Sequence, residues 1–379
     1  MRQFTFRSAR VLVLAGVVSW AVPALAQPSS TLKTAAPASR SSTPVVGPQA
    51  DGQVATVEVE PPDPWFGTFS IIAVDPTTGE MGVGVQSRAF GAGAAVPWAK
   101  PGVGAVATQA SANRLYGPKA IALLEQGVSP EEVVKRITDE DAGRDSRQVA
   151  VIDAKGRSAV YTGRRVISRN NDPNDPVHLG NYAGHVSGVN FSAQGNTLAS
   201  PAVVQAMARA YETTKGTMAD RLMAALDAGQ AQGGDTRGMQ SAGILVVRPL
   251  DPKSESTVER VIDIRVDDAD NPFVELRRLL RMTQGEPARL VARGNELITA
   301  GRHDDAAAAF HEALAINPRL ETAMYGLARA YASAGRLSDA LAHLSTAIAR
   351  QPQVWRKQAA SEAAFGPLKA IPAFLALVQ

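Results

Sequence analysis

The sequence predicts an α+β domain of antiparallel sheets with helices packed on their outer faces, followed by an all-helical repeat. Three observations carry this. Strand-like segments between residues 68 and 266 join mainly through tight turns rich in Gly, Pro and Asp, so hairpins outnumber helical crossovers. Helical segments with capping signals fall between those hairpins, as an outer layer requires. Beyond residue 286 the pattern becomes wholly helical, and Pro318 and Pro352 recur 34 residues apart.

The elements follow in order. "TFSIIAVD" from Thr68 is a β-branched strand, "DPTTGE" from Asp75 is a turn, and "MGVGVQS" from Met81 is the returning strand. "GVGAVATQAS" (Gly102 to Ser111) is a further strand whose small residues permit close packing. "YGPKAIALLEQG" and "SPEEVVKRITDED" are helices. In the second, Ser129 is placed to cap, Pro130 sits in the first turn, and Glu131 and Glu132 favour the positive end of the dipole. "RQVAVIDAKGRSAVYTG" (Arg147 to Gly163) is a hairpin with "DAKG" as its turn, and "HVSGVNFSAQGNTL" (His185 to Leu198) reads as strand. Residues 201–232 form one or two helices, and "QSAGILVVRP" and "ERVIDIRVDD" are the last strands. Asp267 and Asp268 precede an amphipathic helix and read as capping and dipole-stabilising residues.

The chain has 379 residues, 45% apolar and 20% charged, which allows a sizeable core. Residues 1–26 read as an export signal. Arg2, Arg7 and Arg10 precede the apolar run Val11 to Val22, and Ala24-Leu25-Ala26 fits the cleavage rule. A bacterial periplasmic location is expected, with no membrane anchor once the signal is removed. Residues 27–66 are dominated by Pro, Ser, Thr, Ala and Val and predict a disordered or extended linker. The two ordered domains are expected over 67–283 and 286–379. There is no cysteine, which excludes disulfides, thiol nucleophiles and thiolate metal sites. The five histidines show no ligand spacing, so neither metal nor cofactor is expected. The formal charge is +3 without a dense Lys/Arg cluster, so no nucleic-acid partner is expected.

Aligned on the two prolines, Gly294 matches Ala328, Leu297 matches Tyr331, Gly301 matches Gly335, Ala306 matches Ala340, Phe310 matches Leu344 and Ala313 matches Ala347. A 34-residue period with small residues at helix crossings is the tetratricopeptide pattern. Each unit is a helix pair that buries one face on the next, and residues 354–379 are expected to cap the stack. Such superhelices present concave surfaces, so a protein or peptide partner is expected on residues 286–379. Exposed sheet edges leave a homo-oligomer open.

The pair Gly67-Thr68 stands where the linker composition ends and the first strand begins. A threonine hydroxyl is a weak nucleophile, but a free α-amino group with a pKa near 8 can act as its base within the same residue. That device requires Thr68 to be first in the chain, and glycine before it leaves the scissile carbonyl unhindered. The stretches "TFSIIAVDPTTGEMGVGVQSRAF", "VPWAKPGVGAVATQASAN", "YGPKAIALLEQGVSPEEVV", "QGNTLASP", "GGDTRGMQSAGILVV" and "VDDADNPFVELRRLL" resemble the bacterial domain of unknown function 1028 family. The resemblance implies a four-layer α-β-β-α sandwich of the N-terminal-nucleophile (Ntn) hydrolase type. A looser likeness to proteasome β-subunits matches the run Gln86-Ser87-Arg88 and places Lys100 32 residues after Thr68, where it would stabilise the deprotonated Thr68 oxygen. The expected catalytic residues are therefore Thr68, Lys100 and Asn196, the last as an oxyanion donor. Ser70, on the Thr68 face, together with Arg88, Arg237, Gln240 and Ser241, is expected to bind substrate. The expected function is an exported amidohydrolase acting on a small amide or peptide. The alternative is a catalytically silent ligand-binding or scaffolding module with a tetratricopeptide tail.

Overall fold

The computed structural model describes residues 67–175, 178, 181–250 and 258–379. The export signal and linker expected over 1–66 lie outside them. The strands are β1 Thr68–Val74, β2 Met81–Ser87, β3 Pro97–Lys100, β4 Gly104–Ala110, β5 Arg147–Asp153, β6 Ser158–Thr162, β7 Tyr182–Gly188, β8 Phe191–Leu198, β9 Ser241–Val247 and β10 Arg260–Val266. They form two antiparallel sheets, a six-stranded one in the order β10-β9-β2-β1-β8-β7 and a four-stranded one in the order β3-β4-β5-β6. The helices of this part are α1 Ala92–Ala95, α2 Tyr116–Glu125, α3 Pro130–Asp139, α4 Arg164–Asn171, α5 Ala202–Thr213, α6 Met218–Ala231 and α7 Pro272–Thr283.

Most local signals act as expected. Asp75 Oδ1 accepts the Thr77 N–H at 2.8 Å in the β1–β2 turn. Ser129 caps α3 with Pro130 in its first turn. The strand expected over 185–198 is instead a hairpin, β7 and β8, because Asn190 takes a left-handed φ of 66° and reverses the chain. The cap of α7 is Asn271, whose side chain accepts the Phe273 N–H. Asp268 accepts from Gln240 instead.

Strand alternation places β1 between two interiors. Phe69, Ile71 and Ala73 face outward, against Met207 of α5, Leu222 and Leu226 of α6 and Leu276 of α7. Ile72 and Val74 face the second sheet and pack with Val83, Ala105, Ala107 and Ile152. The outer face of that sheet, through Val106, Val149 and Val151, is covered by Tyr116 and Ala120 of α2 and by Val133 and Ile137 of α3. Thr68 and Ser70 share the inward face of β1 with Ile72 and Val74, so the space between the sheets is apolar at one end and polar at the other.

The C-terminal part is all helical: α8 Glu286–Thr299, α9 His303–Ile316, α10 Glu321–Ser333, α11 Leu337–Arg350, α12 Pro352–Ser361, a 3-10 segment Ala363–Ala370 and α13 Pro372–Val378. The repeats close around Phe310, which is fully buried. Gly294 and Gly326 let α8 and α10 approach its ring, since a Cβ at either would stand 2.6 or 2.4 Å from it. Phe310→Ala is expected to lower stability by about 3–5 kcal/mol, read from thermal melting of the helical signal. A loss below about 1 kcal/mol would be incompatible with this packing. Phe365, Leu368 and Phe374 close the end of the stack as expected. At its other end, Arg278 of α7 donates to the Ile316 carbonyl, and Arg281 pairs with Glu286 and Glu312.

Candidate active site

Register builds the polar end of the interior. Thr68 pairs with Asn196 on one side and Ser87 on the other, and Ser87 pairs with Ser241. Cross-strand partners share a face, so Asn196, Thr68, Ser87 and Ser241 form one row across the six-stranded sheet. In the facing sheet Gln109, Gln148 and Thr162 are likewise paired in a row. The two rows meet through side-chain amides. Gln109 Nε2 donates to the Thr68 carbonyl at 3.2 Å and to Gln148 Oε1 at 2.8 Å. Asn196 Nδ2 donates to the same Gln148 oxygen at 2.9 Å, and Gln148 Nε2 reaches Thr162 Oγ1 and the Gly195 carbonyl. One step deeper, Ser70 Oγ donates to Gln109 Oε1 at 2.6 Å. Gln194 Nε2 donates to the Ala107 carbonyl at 3.0 Å. Amides bonded on both sides, as in Gln109 and Gln148, cost little to bury and hold the two sheets in fixed register, whereas Gln194 Oε1 is buried without a partner among the described residues.

The Gly67 carbonyl oxygen lies at the edge of this layer. Thr68 Oγ1 is 2.6 Å from it, Ser87 Oγ 2.7 Å, and Arg237 Nη2 2.8 Å. The two hydroxyl oxygens are themselves 2.9 Å apart. Each hydroxyl has one proton, so two hydrogens serve three short contacts, and the guanidinium supplies the charged donor. Asp235, whose side chain is fully buried, holds that guanidinium: Arg237 Nε donates to Oδ1 at 3.1 Å and Nη2 to Oδ2 at 2.8 Å. The same carboxylate accepts the backbone N–H groups of Arg237 and Arg88. Thr68 itself is only 4% exposed.

Backbone strain borders the same layer. Ala110 and Thr197 adopt φ of 62° and 56°, and each directly follows a network residue, Gln109 and Asn196. Left-handed non-glycine residues cost about 1–2 kcal/mol each and cluster at functional sites. Thr197 is kept there by the buried Asn170, whose Oδ1 accepts its N–H at 2.8 Å.

Lys100 corrects one expectation. It is half-exposed, pairs with Glu125, and stands opposite Gly104, five residues along β4 from Gln109. At about 3.4 Å per residue that is roughly 17 Å from the Thr68 end. A separation of 32 residues gave reach but not direction, and β3 runs away from the site. The cation beside Gly67-Thr68 is Arg237. Ser70 and Asn196 lie within the amide layer. Ser241 Oγ serves the 89–92 loop, donating to the Ala89 carbonyl and accepting the Ala92 N–H. Arg88 Nη1 bonds Gln240 Oε1, and Gln240 Nε2 bonds Asp268, so this pair forms an exposed strap beside the site. Ser87, Gln109, Gln148, Gln194 and Asp235 were not among the expected site residues. A glutamine at an inward position of an otherwise apolar strand, as in "VATQAS" and "RQVAVID", is the signal that could have found two of them. Among the described residues no cluster of three or more His, Asp or Glu could hold a metal.

Next to this end, the loop after β4 is held by Asp141. Its carboxylate accepts from Asn113 Nδ2, Tyr116 Oη, the Gly143 N–H and Arg147 Nε, at 2.8–3.0 Å. Burial alone would raise its pKa, but Arg147 and the three neutral donors together hold it well below the usual carboxylate range. A lowered folded-state pKa contributes stability that is complete above the unfolded value of about 4 and is lost as pH falls through the folded value. Asp141→Asn is expected to cost about 2–4 kcal/mol at pH 7. It should also weaken the decline of melting temperature below about pH 4. An unchanged acid limb would count against this role.

Residues 68–276 match the model of a family of unknown function, DUF1028. The chain belongs to that family. Residues 297–361 of this DUF1028 chain match the tetratricopeptide repeat. Repeats of this type serve protein–protein contacts. A crystal structure of a DUF1028 protein from Silicibacter pomeroyi is 32% identical over 57% of this chain and 85% of its own, with a TM-score of 0.48. No curated protein matches the chain. No described helix is long and apolar enough to cross a membrane.

Proposed function

We propose that this DUF1028 chain is an exported, periplasmic amidohydrolase of the N-terminal-nucleophile type, its paired sheets and outer helices forming the α-β-β-α sandwich of that class. One observation carries the reading. The carbonyl of the bond before Thr68 is surrounded by the hydroxyl that would attack it and by two further donors, Ser87 and Arg237. In the self-cleavage step Thr68 Oγ1 bonds to the Gly67 carbonyl carbon. Negative charge developing on the oxygen is stabilised by Ser87 Oγ and Arg237 Nη2. The Gly67–Thr68 C–N bond breaks, the hydroxyl proton goes to the departing nitrogen, and water hydrolyses the resulting ester. Thr68 then carries a free amine, which serves as base for its own hydroxyl toward an amide substrate. Asn196 and the Gln109–Gln148 pair orient the strand ends, and the repeats recruit a protein or peptide partner.

The burial of Thr68 favours a second reading, a silent ligand-binding or scaffolding module in which the same contacts merely close a sheet end. Intact-mass measurement of the chain recovered from an exporting host separates the two. An N-terminus at Thr68 supports the hydrolase. A chain that always retains residues before Thr68 supports the silent module.

A further inference from the structure

Gly67 is buried and takes a φ of +122°, a conformation closed to L side chains. A Cβ built on it would lie 2.1 Å from Arg237 Nη2 and 2.5 Å from both Cζ and Nε. Ordinarily the tip of an arginine could swing away. Here it cannot do so cheaply, because two bonds to the buried Asp235 carboxylate fix the guanidinium, and that carboxylate is itself held by two backbone N–H groups. The donors that polarise the carbonyl therefore also wall off the space where an α-substituent would project.

We propose that the acyl side of this site is selective for glycine, so that the substrates are glycyl amides, R–CO–Gly–NH–R′. This rests on the hydrolase reading and adds a substrate class to it. Once the leader is cut and leaves, an incoming glycyl carbonyl occupies the place of the Gly67 carbonyl. The Thr68 Oγ1–acyl bond forms as the hydroxyl proton passes to the α-amine. The acyl C–N bond then breaks, with that proton going to the leaving amine. Water hydrolyses the glycyl ester to a carboxylic acid and restores the hydroxyl. No oxidant or cofactor enters the balance.

The test uses the self-processed chain and two chromogenic probes, N-acetyl-glycyl-p-nitroanilide and N-acetyl-L-alanyl-p-nitroanilide, with the N-terminus read by intact mass in the same preparation. The expected result is an N-terminus at Thr68 and a glycyl kcat/KM at least about 1000-fold above the alanyl value, beyond the roughly 10–200-fold that one methylene is worth in a hydrophobic pocket. In the chain itself, Gly67→Ala should remain uncut while melting as a folded protein. Processing at Thr68 with equal rates on the two probes overturns glycine selectivity and leaves the hydrolase standing. Absence of both processing and anilide release overturns the hydrolase and this inference with it.

Discussion

Thr68→Ala is expected to leave the chain uncut, with residues before position 68 still present in the intact mass. The variant removes the hydroxyl whose attack would open the Gly67–Thr68 bond and leaves the donors Ser87 Oγ and Arg237 Nη2 on the Gly67 carbonyl. The fold should survive, because the hydroxyl's two contacts, to the Gly67 carbonyl and Ser87 Oγ, cost about 1–3 kcal/mol when lost. Thr68→Ser keeps the oxygen and should be cut, which separates chemistry from packing. The outcome that sinks the proposal is a Thr68→Ala chain cut at the same bond, since another protease would then be responsible.

The second large effect is expected at Asp235. Asp235→Ala leaves the Arg237 guanidinium without its anchoring carboxylate and strips the acceptor from the Arg88 and Arg237 N–H groups. Arg237 is 29% exposed, so water recovers part of the loss, and about 2–4 kcal/mol of stability should go. The cut at Gly67 should slow by about 100–1000-fold, the usual consequence of releasing one oxyanion donor. The milder Asp235→Asn keeps one oxygen, enough for one of the two backbone N–H groups, so it should restore part of the stability but little of the rate. If Asp235→Asn is cut as fast as the unaltered chain, Arg237 has no part in the cleavage.

Much of the architecture was legible because it is written in local patterns. Alternation in β1, the Asp75 turn, the Ser129 cap and the 34-residue spacing each depend on neighbours in the chain. Thr68 was legible for the same reason, since it begins a strand directly after a glycine. The rest of the site depends on which strands lie side by side. Gln109 and Gln148 are 39 residues apart, and their amides meet only because β4 and β5 pair and their sheet stacks on β1 and β8. Asp235 reaches the site by bridging to Leu198 at the end of β8, a contact with no sequence period. Lys100 failed for the converse reason: counting residues from Thr68 does not say which way β3 runs, and β3 carries Lys100 away from the Gln109 end. Gln240 and Ser241, expected to bind substrate, bond Asp268, Arg88 and the 89–92 turn, partners that no local pattern announces.

Helix α7 is a party wall. Phe273, Leu276 and Leu280 are built into the β-sheet core, while Arg278 and Arg281 on the same helix lean on α9 and α8. Amputating the repeats would therefore take Glu286 and Glu312 from Arg281 and the Ile316 carbonyl from Arg278, which keeps Glu275, and undress a helix that the sheets also need, so a cut there wounds both halves.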